Sequence, residues 1–223
     1  MAQKRVLMVV TSHAQITEGH PTGLWLSEFA EPYEIFKERG FAITVASIKG
    51  GYVPIDPRSL NEESKAKWPD AIRELEATPP LSEISAEGFD ALFLPGGHGT
   101  MFDFPDDAVL QTRVREFVES DRVVAAVCHG PAGLVHVKLS SGEYLVKGKK
   151  VTSFTNEEER AVQLDPYMPF LLEDRLRENG AIFVAAPMWS NHVEVDGKLV
   201  TGQNPQSGEA TAKKVSELLE AGS

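Results

Sequence analysis

The chain has 223 residues, a formal net charge of −11, 42% hydrophobic and 25% charged side chains, and a single cysteine. That composition fits one sizeable domain over 1–223 and argues against nucleic acid or an anionic membrane as the main partner. No stretch approaches the roughly 20 apolar residues of a membrane helix, and the N-terminal apolar run reads as a strand and not as a signal peptide, so a cytoplasmic setting is expected; one cysteine cannot form an internal disulfide, which is compatible with a reducing compartment.

KRVLMVVTS, from Lys4, reads as the first strand; its apolar run is shorter than the roughly 7–15-residue core of a signal peptide. TGLWLSEFAEPYEIFKERG reads as a helix ending at Gly40, bent or started late by Pro32. FAITVAS is a second strand and DALFLPGG a third. Between them lies a long segment, about 51–88, with helical character around Lys65 to Ala77; it is expected as an insertion capping a site. DDAVLQTRVREFVESD is an amphipathic helix leading into the strand RVVAAV. KKVTSF and AIFVAA read as strands on either side of a helix in PYMPFLLEDRLRENG. Asp196-Gly197 marks a β-hairpin, and GEATAKKVSELLEAG closes the chain as a helix. Strands alternating with helices, with near-continuous apolar strands, predict an α/β fold whose parallel sheet is covered on both faces.

The chemistry concentrates in VVAAVCHGPAGL, Val123 to Leu134. Cys128 has Ala126 two before it and Gly130 two after, the small–x–nucleophile–x–small pattern of a tight strand-to-helix turn. A helix starting there would lower the thiol pKa and supply amides for an oxyanion. A plain core thiol is the competing reading. His129 is either an exposed first-turn residue or a proton shuttle. In LFLPGGHG, Gly96, Gly97 and Gly99 make either a glycine-rich turn or a loop whose amides face a ligand at the carboxyl end of a strand. Glu28 lies on a mainly apolar helical face with Trp25 and Phe29. Glu157, Glu158 and Glu159 form either a solvated turn or the source of an acid that orients an imidazole. His13, His20, His98, His136 and His192 show no metal-ligand spacing, so neither metal nor cofactor is expected.

AAVCHGPAGL, LFLPGGHG, TGLWLSEFAEPYEIFKERGF and KLVTGQNPQS, in this order, resemble the PfpI superfamily, with its class I glutamine-amidotransferase-like fold. EGHPTGLWLSEFAEP, VPIDPRSL and adjacent Cys128-His129 are more similar to its heat-shock chaperone and glyoxalase III branch. The resemblance implies a flavodoxin-like three-layer sheet and a homodimer. It implies Cys128 as nucleophile, His129 with Glu159 (or Glu158) completing a triad, and Glu28 as a carboxylic acid beside the sulfur. Gly97 and His129 amides would hold an oxyanion, with Gly96 and His98 at the same binding loop. The activity implied is glutathione-independent conversion of methylglyoxal and related 2-oxoaldehydes to hydroxyacids, through a cysteine hemithioacetal. A cysteine peptidase or amidase is the alternative enzyme; a stress-response chaperone or redox sensor is the alternative role.

Overall fold

The computed structural model describes residues 2–222. Strand β1 (Arg5–Val10) leads through a short hairpin, β2 (Gln15–Thr17) and β3 (His20–Pro21), into helix α1 (Leu26–Glu38). β4 (Ala42–Ser47) is followed by the short helices α2 (Glu62–Lys67) and α3 (Pro69–Glu74), then by β5 (Ala91–Leu94), α4 (Thr100–Asp103), α5 (Ala108–Glu119) and β6 (Val123–Val127). The second half holds β7 (Lys150–Val151), α6 (Asn156–Ala161), α7 (Leu172–Glu178), β8 (Ile182–Phe183), the hairpin β9 (Val193–Asp196) and β10 (Leu199–Gly202), and α8 (Gly208–Ala221).

The main sheet has six strands in the order β4-β1-β5-β6-β10-β9, all parallel except the edge pair β9–β10. The two-residue side-chain period sorts each strand between two cores. Val6, Met8, Val10, Phe93, Ala125 and Val127 meet Phe29 and Phe36 of α1 and Val215 of α8. Leu7, Val9, Leu92, Leu94, Val124 and Ala126 meet Leu110, Val114 and Phe117 of α5. Helices therefore cover both faces, as the apolar strands required. No helix among the described residues is long and apolar enough to cross a membrane.

Several elements differ from the sequence expectation. KKVTSF and AIFVAA form only β7 and β8, a two-residue parallel pair outside the main sheet. After Val151 the chain is drawn away from the ladder, because the Thr152 amide donates to the Thr201 hydroxyl and the Phe154 amide to the Cys128 carbonyl. PYMPFLLEDRLRENG is a 3-10 turn at Asp165–Tyr167 followed by α7 only from Leu172; Pro166 and Pro169 lack the donors that a continuous helix needs. Pro32, by contrast, lies inside α1, the first of its two expected places. Within 51–88, α3 places Ala71 and Leu75 in the α1 core, and the 3-10 turn Pro57–Ser59 carries Arg58 toward the site.

Candidate active site

The carboxyl ends of β5 and β6 deliver the two loops of the site. Cys128 follows β6 with φ of 62°, a left-handed backbone that a β-carbon makes costly. Tertiary bonds hold it there: its amide donates to the Gly202 carbonyl and its carbonyl accepts from Phe154, both at 2.9 Å. Gly130 must be glycine for packing, since a β-carbon would lie 2.1 Å from the Leu94 carbonyl oxygen. The expected helix after the elbow is instead a four-residue 3-10 turn, Gly130–Gly133. A single 3-10 turn has too few aligned peptide units to act on the sulfur as a helix macrodipole.

His129 turns its ring onto the sulfur, with Nδ1 at 3.5 Å from Cys128 Sγ, and gives Nε2 to Glu159 Oε2 at 2.7 Å. A carboxylate only accepts, so Nε2 carries the proton and Nδ1 of the neutral ring is the free base facing the thiol. Glu159 lies in the first turn of α6, whose capping box is built by Thr155 and Glu158. The three consecutive acids part company by helical rotation. Glu157 is exposed, Glu159 faces His129, and Glu158 turns to the Trp189 amide and the Gln203 and Asn204 side chains.

The other Glu159 oxygen, Oε1, is 2.6 Å from Nε2 of His98. Burial pushes the Glu159 carboxyl up, but His129 and His98 together outweigh it and hold the group below the usual carboxylate range. His98, expected at the binding loop, thus has its Nε2 engaged by Glu159. Its pKa is lowered to about 4, first by burial and then by His129. His98, His129 and Glu159 have the composition of a metal set, their ligand atoms within 4.8 Å of one another. Both ring nitrogens, however, point at the carboxylate at hydrogen-bond distance, which is the geometry of proton-sharing pairs rather than of ligands around a common ion.

Glu28 approaches from α1 on the opposite side. It is fully buried, and its Oε1 accepts from the Gly96 amide at 2.9 Å. Gly96, expected at the binding loop, thus spends its amide on Glu28. Oε2 has no partner of good geometry, although the Cys128 thiol lies close enough to act on the carboxyl. Burial raises the Glu28 pKa to about 8, so the group is a carboxylic acid at neutral pH. The amides of Gly97 and His129 have no protein acceptor among the described residues. One hydroxyl, from buried Thr100, donates to both the Gly97 and His129 carbonyls, at 2.8 and 3.0 Å, and so ties the two loops together. Gly97, at φ of 110°, tolerates no β-carbon, which would meet the Gly23 carbonyl oxygen at 2.2 Å.

Cys128 is only 3% exposed, yet it lines a cavity of about 420 Å³. Trp25, Arg58, Phe154, Val162, Trp189 and Pro205 form the surrounding wall. The thiol pKa lies well above the ordinary value, because burial and then the charged form of Glu28 both disfavour a thiolate. This corrects the expectation of an acidic thiol. The resting pair is thiol plus carboxylic acid. Sequence reasoning missed Arg58, Thr100, Phe154 and Trp189 as site residues, since none stands in a recognisable spacing with Cys128.

A three-layer α/β domain with a cysteine on a strained strand-end elbow, an imidazole–carboxylate pair behind it and a neutral acid beside it defines a nucleophile-elbow protein of the cysteine type. The chain belongs to the DJ-1/PfpI family, whose model matches residues 21–218. It is 32% identical over 232 residues to glyoxalase 3 of Candida albicans, covering 97% of this chain and 98% of that protein. It is also 32% identical to the glutathione-independent glyoxalase HSP31 of Saccharomyces cerevisiae, covering 98% and 99%. A crystallographic structure 56% identical in sequence superposes over 100% of both chains with a TM-score of 0.96. The solved glyoxalase III of Candida albicans, 31% identical, superposes over 96% of each chain with a TM-score of 0.88.

Proposed function

We propose that the protein is a glutathione-independent glyoxalase acting on methylglyoxal and related 2-oxoaldehydes. The observation that carries this reading is the pairing of a protonated, fully buried Glu28 with the elbow thiol, opposite the His129–Glu159 pair. Hydrolysis of a peptide needs a nucleophile, a base and an oxyanion hole. Isomerising an oxoaldehyde needs, in addition, a group that gives and takes a proton at adjacent carbons. A carboxyl with a pKa near 8 suits that exchange.

His129 Nδ1 takes the Cys128 proton as sulfur adds to the aldehyde carbon, forming the C–S bond and an alkoxide. The free Gly97 and His129 amides stabilise that oxygen, and Glu28 Oε2 protonates it. The resulting Glu28 carboxylate removes the hydrogen from the same carbon while His129 gives its proton to the neighbouring carbonyl oxygen, which yields an enediol and a neutral imidazole. Glu28 then returns the proton to the neighbouring carbon and takes back the hydroxyl proton of the first, so it ends as the carboxylic acid. The product is a 2-hydroxy thioester on Cys128. Water, activated by His129, releases the hydroxyacid and restores the thiol. Atoms balance as one substrate plus one water, with no net redox change.

The apolar walls of Trp25, Phe154 and Trp189 suit an uncharged small aldehyde, and segment 51–88 contributes Arg58 to the same lining. We retain a homodimer and a cytoplasmic location as parts of the same proposal. The test is lactate formation from methylglyoxal by purified protein without glutathione. Wild type is expected to turn over, with Cys128→Ala and Glu28→Gln each at least about 10³-fold slower. Equal rates for wild type and Cys128→Ala would end the reading.

A further inference from the structure

The triad does not stop at Glu159. Beyond it, His98 Nε2 meets Oε1 at 2.6 Å, and His98 Nδ1 lies 3.3 Å from Arg58 Nη2. Arg58 in turn grips fully buried Asp56 with a two-point fork, Nε to Oδ1 at 3.0 Å and Nη2 to Oδ2 at 2.7 Å. Asp56 is fixed besides by the Thr22 hydroxyl and the Arg58 amide. Arginine only donates, so Nδ1 of His98 must accept and its one ring proton must sit on Nε2, directed at Glu159. His98 is 4% exposed and packed against the rings of His129 and Phe154, so its ring cannot turn to escape this assignment.

We propose that His98 and Arg58 are positioning residues that set how much of the Glu159 charge reaches His129, and thereby the pH at which Cys128 becomes nucleophilic. Burial and then His129 keep His98 neutral, and Arg58, donating to Nδ1, holds it in one tautomer; His98 then takes up one carboxylate oxygen and leaves the other for His129. The charged and titratable groups facing this chain from the packed elements are Arg58 and Asp56, Glu28 of α1, Cys128 and His129 at the elbow, and Glu158 and Glu159 of α6. The inference deepens the proposed function, because it concerns regulation of that same site. It can be read without substrate, since Cys128 is the only cysteine and its alkylation by iodoacetamide reports the thiolate directly.

The experiment is the alkylation rate of the full chain as a function of pH. In His98→Phe the Glu159 charge falls wholly on His129, which then holds the sulfur's proton more firmly. The alkylation midpoint is expected to move down by about one pH unit. In Arg58→Gln the donor that occupies His98 Nδ1 is gone, and buried Asp56 is left beside it without its cation. His98 is then free to take a second proton, which neutralises Glu159, and the midpoint is expected to move up by a similar amount, about one unit. His98→Gln keeps an N–H donor for Glu159 but cannot titrate, so its midpoint stays near that of wild type. Arg58→Gln added to either His98 variant should move the midpoint no further. A residue that merely lines the cavity would show neither the opposite signs nor this dependence.

An unshifted midpoint in Arg58→Gln, or a shift that persists without His98, overturns the proposal. Should the variants not fold, nitrogen NMR of histidine-labelled wild type decides: Nε2–H with a bare Nδ1 on His98 at pH 7 supports it, and a proton on Nδ1 overturns it. If the midpoints move as stated while methylglyoxal is not turned over, the relay stands and the glyoxalase reading fails.

Discussion

Glu28 carries the sharpest consequence at the scale of single residues. Its ordinary pKa of 4.5 is raised to about 8 by burial. Between those values the unfolded chain has released a proton that the folded chain keeps, so the native state binds more protons and stability falls as pH rises. The loss is complete near pH 8 and is of order 4 kcal/mol, partly shared with the neighbouring thiol. Glu28→Gln, a neutral isostere, escapes this cost. Urea unfolding should find the variant more stable than wild type at pH 9 and close to it at pH 5; an equal difference at both would mean that the carboxyl is not proton-linked. Turnover should also decline above about pH 8, as an ionised Glu28 repels the alkoxide. Cys128 was legible in the sequence because its small flanks are a local pattern, whereas the place of Glu28 beside the sulfur followed only from the family resemblance. Arg58 was not legible, because 70 positions separate it from Cys128 and only the folded path of segment 51–88 brings it to His98.

At the scale of elements, the elbow stores strain that a substitution can release. Cys128 sits at φ of 62°, where glycine is at ease and alanine is not. Cys128→Gly is therefore expected to be at least as stable as Cys128→Ala, by up to about 1 kcal/mol, despite the entropy that glycine loses on folding; calorimetry checks this. Gly97→Ala should do the reverse. Its β-carbon would meet the Gly23 carbonyl oxygen, at 2.2 Å, in a backbone region closed to L-residues. The loop must move and with it the free amide, so turnover should collapse even if the fold survives. Glu158 is a hub rather than a triad member: it takes N–H donors from Thr155, Trp189, Gln203 and Asn204. Glu158→Gln turns an amide against those donors, at a cost of about 2–3 kcal/mol. The Trp189 wall should loosen, which raises KM more than it lowers kcat and changes the tryptophan fluorescence. The helix around Pro169 and the short β7 and β8 were misjudged for one reason. Periodicity reports burial, whereas a chain end pulled to the elbow or a missing donor decides where pairing stops.

At the scale of the whole molecule, the sheet order explains why these residues meet. From β1 the chain runs out to β4 through α1, then returns to β5 on the other side of β1. A crevice opens outside the carboxyl ends of strands where such a winding reverses. Glu28 enters it from α1, Gly97 and His98 from the end of β5, and Cys128 and His129 from the end of β6. The alternation of strands and helices made this architecture readable from the sequence, as did the glycine-rich strand ends. The choice among Glu157, Glu158 and Glu159 was not readable, because it depends on the rotation of α6 within the finished fold. The net charge of −11 acts little on an uncharged aldehyde, so kcat/KM should be constant within about twofold from 50 to 500 mM salt. A steep salt dependence would point to a charged substrate.

The most direct measurement follows methylglyoxal labelled with carbon-13 at the aldehyde carbon, by NMR, in the presence of protein and without glutathione. The label should appear in the carboxyl of lactate with wild type and remain in methylglyoxal with Cys128→Ala. With Glu28→Gln it should stop as a sulfur-bound hemithioacetal. Lactate forming at the same rate with Cys128→Ala would contradict the account.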